Sequence, residues 1–476
     1  MEPFSKRPRV EGPGAEAVKG EEAVTFHLLS KDPETGAMVL EENGHFPPEM
    51  THQLFGEQEE VVGYDGLSID IWLSPQFQTF IDVKYAGKGP GATDLRTPFR
   101  DAFPAGFFEQ KADFDKALQE EPPLDLSVLG KEVASRPSEA GTTFRVYRSH
   151  LASADPQLKA LHKRMEPLLL FFVDAAAAID AADEGWQLFT IVEEPPKVPG
   201  ALGPAVVGFA TAYRFWHYPE GSRLRLAQIL VLPPHQGRGA GALALEAVQG
   251  LADELNACDL AFEDPAEGLQ SLRTFLDVKR ALGLEWAQQA AVEHLAALAA
   301  DRGKGAVTAN GNGSAAGSSK AAARAAAAAH PLAAPPAVLE RLRKELRLSR
   351  LQAGLVWRVL LLVVGRGEAA VAAGVESLVR QAILAQVAEA KGDAQGKSVR
   401  ETDKGFVMCR GAGGAGAAAQ GRIPLLPVEE QTAEQQAEAV EEAAQQQFEF
   451  VRGVAAKFLG GDDDEEEGGD EEEDDE

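Results

Sequence analysis

From Glu22 to Leu29 polar and apolar positions alternate, the pattern of a half-buried strand. Leu67, Ile69, Ile71 and Leu73 alternate with Ser68, Asp70 and Trp72, and Phe80, Ile81, Val83 and Tyr85 surround Asp82 and Lys84. With Ser74, Pro75 and Gln76 between them, these runs predict a hairpin in a mixed N-terminal domain spanning 21–137. Thr142 to Tyr147 predicts another strand. Asp155 to Ala182 predicts a long amphipathic helix, because Leu158, Leu161, Met165, Leu168 and Phe172 share one face at three- and four-residue spacing. Trp186 to Val192, Pro204 to Tyr218 and Leu224 to Leu232 are strand-like, Gln236 to Leu255 reads as loop then helix, Asp259 to Phe262 as a short strand and Pro265 to Leu282 as a helix. Strands arranged around one Gly-rich turn predict a mixed α/β catalytic domain over 138–300. Val338 to Val364, Glu368 to Ala390 and Val428 to Phe458 show helical periodicity without strands, which predicts a helical C-terminal domain over 338–460.

Composition changes this picture at the edges. A chain of 476 residues exceeds one core, and 45% hydrophobic residues exclude wholesale disorder. Asp301 to Ala337 and Gly411 to Gly421 are Ala-, Gly-, Ser- and Pro-rich and read as flexible insertions. The formal net charge of −28 is uneven, since Asp462 to Glu476 is acidic at every position except Gly468 and Gly469. Such a tail (461–476) has nothing apolar to bury, and it either solubilises the chain or engages a basic partner such as a histone. Direct DNA binding is disfavoured, because a polyanion repels phosphates. Residues 1–20 hold Lys6, Arg7 and Arg9 without an apolar run, so they read as a disordered tail or a nuclear-import signal rather than a signal peptide. The run Val359 to Val364 falls short of a membrane span and reads as a buried helix segment. Cys258 and Cys409 stand alone, without disulfide or zinc spacing, and no metal site is expected.

The candidate chemistry lies in the stretch from Arg225 to Glu246. A strand runs into Pro233, Pro234, His235 and Gln236, and a helix opens at Gly237, Gly239 and Gly241. Glycines admit unusual dihedrals and close backbone approach, so several N–H groups can face one anion beside the positive end of a helix. The turn is a candidate pyrophosphate cradle. Gly237, Gly239 and Ala242 also fit a loose dinucleotide fingerprint with Glu263 as its acid, and a ligand-free strand-to-helix turn is a further reading. Against a dinucleotide fold, Arg223, Arg225 and Gln228 interrupt the strand and the motif lies halfway along the chain.

Gln236-Gly-Arg-Gly239-Ala-Gly241 resembles the coenzyme A loop of the GNAT acetyltransferase superfamily. Cys258-Asp-Leu-Ala-Phe-Glu263-Asp264-Pro265, followed by Leu272, Arg273 and Phe275, narrows the resemblance to the type B histone acetyltransferase family. So do the runs Pro48 to Gly56, Val62 to Leu67, Asp180 to Trp186 and Leu346 to Leu360. The resemblance implies a central GNAT fold, a mixed N-terminal domain and a helical C-terminal domain. It implies acetyl-CoA as co-substrate, with the backbone of Ile229, Leu230 and Val231 on the pantetheine arm and Gln236, Gly237, Arg238, Gly239, Ala240, Gly241 and Ala242 around the pyrophosphate. It further implies the tail of newly made histone four as substrate, a WD-repeat histone chaperone as partner, and work in nucleus and cytoplasm.

A lysine near its ordinary pKa of ~10.4 is neutral in only about one molecule in a few thousand at pH 7, so acyl transfer needs a base beside it. Glu263, at the end of a short strand, is that base by resemblance, with Asp264 and Pro265 expected as N-cap and first turn of the following helix. Asp264 is a catalytic candidate too, although both acids also suit a helix start. Asp174, expected on the long helix, is a second candidate acid. Resemblance assigns Glu57, Gln58, Glu59, Tyr213, Arg214 and Phe215 to the peptide, where acids at a groove rim would suit a basic tail. The two aromatics fit a core role equally, and His52 and His235 read as structural. Two other functions remain open: acetylation of another protein or a small amine, and non-catalytic histone binding through the acidic tail.

Overall fold

The computed structural model describes residues 17–32, 34–138, 141–196, 203–219, 221–302, 329–394, 401–402, 405–406 and 433–460. The basic N-terminus, most of the 301–337 insertion, the 411–421 insertion and the acidic tail lie outside the described residues. Two compact units divide the chain, one made of Met1–Arg214 and Leu226–Gly250, the other of Phe215–Arg225 and Leu251–Glu476.

The first unit holds two larger sheets and, among the described residues, two short two-stranded ones. Strands β1 (Val24–Lys31), β2 (Met38–Phe46), β3 (Ser68–Leu73), β4 (Thr79–Lys84) and β5 (Phe107–Phe108) lie in the order β2-β1-β3-β4-β5. The hairpin expected between the third and fourth is present, with Ile71 opposite Ile81. Ile69, Ile71 and Leu73 point into the core, because one face of an alternating strand must be buried. The second sheet begins β6 (Lys131–Pro137), β7 (Thr143–His150), β8 (Trp186–Glu194) and β9 (Ala205–His217), each antiparallel to the last. Beside β9 lies β10 (Gly221–Val231), whose second half belongs to this unit. The antiparallel run excludes the parallel sheet that a dinucleotide fold requires.

The long helix is shorter than its pattern. It runs as α1 (Pro156–Met165), a 3-10 turn at Glu166–Leu168 and α2 (Leu169–Phe172), and then stops. All five stripe residues are buried. Pro167 removes one helical donor, Val173 turns extended, and Ala175 takes a left-handed φ of 54°. The polar side chain of Gln228 then takes the carbonyl of Ala177 at 2.8 Å, and the Ile179 N–H donates to Glu166 at 2.7 Å. Asp174 therefore sits in a turn beyond the helix, not on it. The unit is completed by α3 (Ala240–Glu254) as far as Gly250, after the Gly-rich loop.

In the second unit the first half of β10 pairs with β11 (Leu260–Phe262), which leads to α4 (Glu267–Leu282). Helices α5 (Glu285–Arg302), α6 (Pro336–Leu346), α7 (Arg350–Val364), α8 (Ala369–Ala394) and α9 (Ala433–Leu459) follow. Their core gathers around Trp357, Val356, Leu360 and Val379. The single helix expected over 338–364 is two, split at Arg347, whose left-handed φ of 57° ends α6 before Ser349 caps α7 through the Gln352 N–H at 3.2 Å. Helix α5 has no counterpart among the expected elements. Among the described residues one helix, α8, is long and apolar enough to cross a membrane, and its Val375, Leu378, Val379 and Ile383 are buried in this core.

Candidate active site

In the first unit, β10 hands the chain to the glycine loop. Leu226, Gln228 and Leu230 face inward while Ile229 and Val231 are half-exposed, so the strand keeps a strict alternation up to the turn. Gly208 lets β9 approach this strand closely: a Cβ there would stand 2.3 Å from the Leu230 carbonyl oxygen. Gln236 Nε2 donates to the Val231 carbonyl at 2.8 Å, pinning the start of the loop to the end of the strand and engaging one backbone group expected to serve pantetheine.

Gly237 and Gly239 then adopt φ of 70° and 90°, which residues with a Cβ rarely hold. A Cβ at Gly237 would meet nothing within 4 Å, and one at Gly239 would meet only Arg136 Nη1 at 3.9 Å. The loop is thus open on the side where side chains are absent. Among the described residues the N–H groups of Gly237, Arg238 and Gly239 have no acceptor, and Ala240, Gly241 and Ala242 form the first turn of α3, whose N–H groups lack helical partners. Free amides in an open concavity at a helix N-terminus fit a pyrophosphate, the group that acetyl-CoA presents.

The side chain of Arg238 is engaged within the protein. Its guanidinium does not stand free for a phosphate but forms a fork on Glu193, with Nη1 3.1 Å from Oε2 and Nη2 closer still to Oε1. His235 Nδ1 lies 2.9 Å from the same carboxylate, and the Thr142 hydroxyl donates to it at 2.7 Å. Burial alone would raise the Glu193 carboxyl, yet these hydrogen bonds outweigh it and hold the group down at about 2. Only the backbone of Arg238 is left for a ligand. Glu193 was not singled out in the sequence; its visible sign is an acid closing the apolar run Leu188–Val192.

The remaining candidates of this unit fall in two groups. Asp174 is 71% exposed and pairs with His52 Nε2 at 3.1 Å, whose Nδ1 lies 3.6 Å from Glu59. Glu59 accepts from both the N–H and the hydroxyl of Thr51 at 3.1 Å, so it closes its own turn rather than standing free at a rim. Glu57 and Gln58 are exposed, and the Gln58 carbonyl accepts from Lys19. In the second group the Tyr213 hydroxyl donates to Asp183 at 3.0 Å, and its ring meets Trp186 edge-on at 4.8 Å. Gly185 must lack a side chain, because a Cβ would stand 2.3 Å from that ring. Arg214 is exposed.

In the second unit Glu263 follows β11 immediately. Its side chain is 51% exposed and lies 3.5 Å from Arg225 Nη1, whose guanidinium stacks 4.5 Å from the Phe215 ring. Phe215 is therefore a platform for this cation, and Arg225 is a neighbour of Glu263 that sequence reasoning saw only as an interruption of the strand. Asp264 is not the expected N-cap: it takes a left-handed φ of 32°, and α4 starts at Glu267 after Ala266. The chain turns at Asp264, which sets Glu263 apart from the helix and leaves it no capping duty. Among the described residues no cluster of acids, histidines and cysteines could hold a metal ion.

The stretch 168–272, holding the loop, Tyr213 and Glu263, matches the model of the acetyltransferase (GNAT) family. This segment is thus a GNAT domain. Residues 17–174 match the model described as histone acetyl transferase HAT1 N-terminus, so the two models together run from residue 17 to residue 272 of the 476. The histone acetyltransferase type B catalytic subunit of Homo sapiens is 34% identical over 247 residues, 49% of this chain and 58% of the relative. Proteins of the same name from Arabidopsis thaliana and Candida albicans are 28% and 30% identical, over 59% and 50% of this chain and 62% and 60% of their own lengths. The chain is thus similar to type B histone acetyltransferase catalytic subunits, and its matches span about six-tenths of the length of these curated relatives.

Proposed function

We propose that the protein transfers acetyl from acetyl-CoA directly to lysine ε-amines of the histone-four tail before chromatin assembly. The observation that carries this is the open pair of left-handed glycines at the start of α3, lying inside the GNAT match. The names of the relatives support a histone as acceptor. Bound acetyl-CoA supplies the activated acyl group. The chain's own part is to hold the diphosphate on the amides of 237–242, to orient the acceptor, and to take its proton on Glu263 so that the amine lone pair can attack. Asp264 and Asp174 are secondary acids in this reading. Glu57, Gln58, Glu59, Tyr213, Arg214 and Phe215 are its peptide contacts, with Glu59 and Phe215 acting through the turn and the stacked cation they hold. A WD-repeat histone chaperone as companion, and work in both cytoplasm and nucleus, rest on the sequence resemblance.

The test is acetyl-CoA turnover on a histone-four tail peptide by wild type and Glu263→Gln from pH 6 to 9, with a polyamine as competing acceptor. Peptide turnover that falls about 100-fold or more in the variant is the expected result. Equal rates would remove Glu263 as base, and preference for the polyamine would remove the histone. Retention of NAD or FAD without saturable coenzyme A binding would remove the cofactor assignment.

A further inference from the structure

Strand β11 is three residues long, too short to be positioned by its ladder alone, yet it ends on Glu263. Both backbone groups of its first residue are held from outside the sheet. The Leu260 N–H donates to the Arg347 carbonyl at 2.7 Å, in the left-handed turn between α6 and α7, and the Leu260 carbonyl accepts from Arg273 Nη2 of α4 at 2.9 Å. The same guanidinium lies 4.1 Å from the ring of Phe262, the last residue of the strand. One side chain therefore grips both ends of β11.

That side chain is only 8% exposed, and it brings a polar network into an otherwise apolar interface. Arg273 Nε stands 3.7 Å from Asp277, the same carboxylate accepts from Gln352 Nε2 of α7 at 2.9 Å, and Gln270 donates to Gln352 at 3.0 Å. Burying a charge is costly unless it is paired, and an apolar side chain of similar size would fill the space without that cost. The compensation is geometric. Glu263, half-exposed and ion-paired among the described residues with Arg225 alone, at 3.5 Å, inherits its place from the backbone that Arg273 clamps.

We propose that Arg273 is a positioning residue for Glu263, and that the α4–α7 polar network lets the helical bundle set the carboxylate's place. The proposal rests on the reading of Glu263 as base. A misplacement of about 1 Å at a reacting group lowers rate by about 100-fold, so Arg273→Met should lower kcat by about 10- to 100-fold while KM for acetyl-CoA stays within about two-fold. Its pH–rate profile should take the shape of the Glu263→Gln profile.

The deciding measurement uses the full chain, acetyl-CoA and a histone-four tail peptide, with wild type, Arg273→Met, Glu263→Gln and the double variant. The double variant should be no slower than Glu263→Gln alone, because a clamp has no further effect once its carboxylate is gone. Multiplying losses, or a raised acetyl-CoA KM with unchanged kcat, would overturn the positioning role while leaving the base in place. A Glu263→Gln enzyme as fast as wild type would instead overturn the base reading itself. Should Arg273→Met not fold, Phe262→Leu removes only the stacked face and carries the same comparison, with a loss of several-fold in kcat expected and additive behaviour again counting against the clamp.

Discussion

Glu193→Gln probes how the glycine loop is held. The carboxyl is lowered from its ordinary 4.5 to about 2, which corresponds to about 3 kcal/mol of preferential stabilisation of the charged form. Its side chain and that of His235 are only 11% and 12% exposed, so solvent screening removes little of this. The sign follows from the direction of the shift. A depressed carboxyl stabilises the fold above its unfolded pKa near 4.5 and loses that contribution as pH falls toward 2, so at pH 7.5 all of it is present. The amide of glutamine carries no charge for Arg238 and leaves the donors of that guanidinium partly orphaned. Urea denaturation at pH 7.5 should show a loss of about 2 to 3 kcal/mol with an unchanged slope. Because the loop's own hinge is released, KM for acetyl-CoA should rise by about ten-fold with kcat at saturation nearly unchanged. The refuting result lies in the cycle with Arg238→Gln. If the double variant loses the sum of the two single losses, Arg238 and Glu193 do not act as a pair, and the loop is held by something else.

Two further outcomes follow from single residues. Burial pushes His162 down to about 4, so its stabilisation is lost as pH drops below 6.5; the free energy of unfolding should be roughly 1 to 1.5 kcal/mol lower at pH 5.5 than at pH 8, and His162→Gln should flatten that slope in urea titrations. Gly239→Ala forces a Cβ into a left-handed backbone and should cost about 1 to 2 kcal/mol and most of the coenzyme A affinity by calorimetry, whereas Gly250→Ala, inside α3 with open space around it, should gain about 0.5 to 1 kcal/mol; a gain at Gly239 would contradict the cradle.

Periodicity made the strands around the site legible, because β10 alternates without a break and buries every second residue up to the loop. The same principle overran at the long helix: the apolar stripe is real as far as Phe172, but the turn at 173–175 is decided by Pro167 and by polar contacts from Glu166 and Gln228, the second far away in the chain. Helix α5 escaped notice because its buried positions are alanines, Ala287 and Ala291, which leave almost no apolar contrast. Arg238 illustrates a limit of motif reading. A cation in a phosphate loop suggests an anion partner, but its partner is a side chain 45 residues earlier that only folding brings there. Glu263 was findable from its neighbours in sequence, while its support by Arg273 and Gln352 depends on contacts across 13 and 75 positions, which no local pattern encodes.

The backbone passes from one compact unit to the other at 214/215 in β9, at 225/226 in β10 and at 250/251 in α3, the first two within a dozen residues. Neither unit can therefore be released by a single cut. A fragment ending at Arg214 forfeits the glycine cradle, and one starting at Leu251 forfeits Arg223 and Arg225 together with the strand edge on which β11 lies. Trimming from either end leaves a body with a missing staple, so limited proteolysis that nicks this stretch should inactivate both halves at once and yield no independently folding catalytic piece.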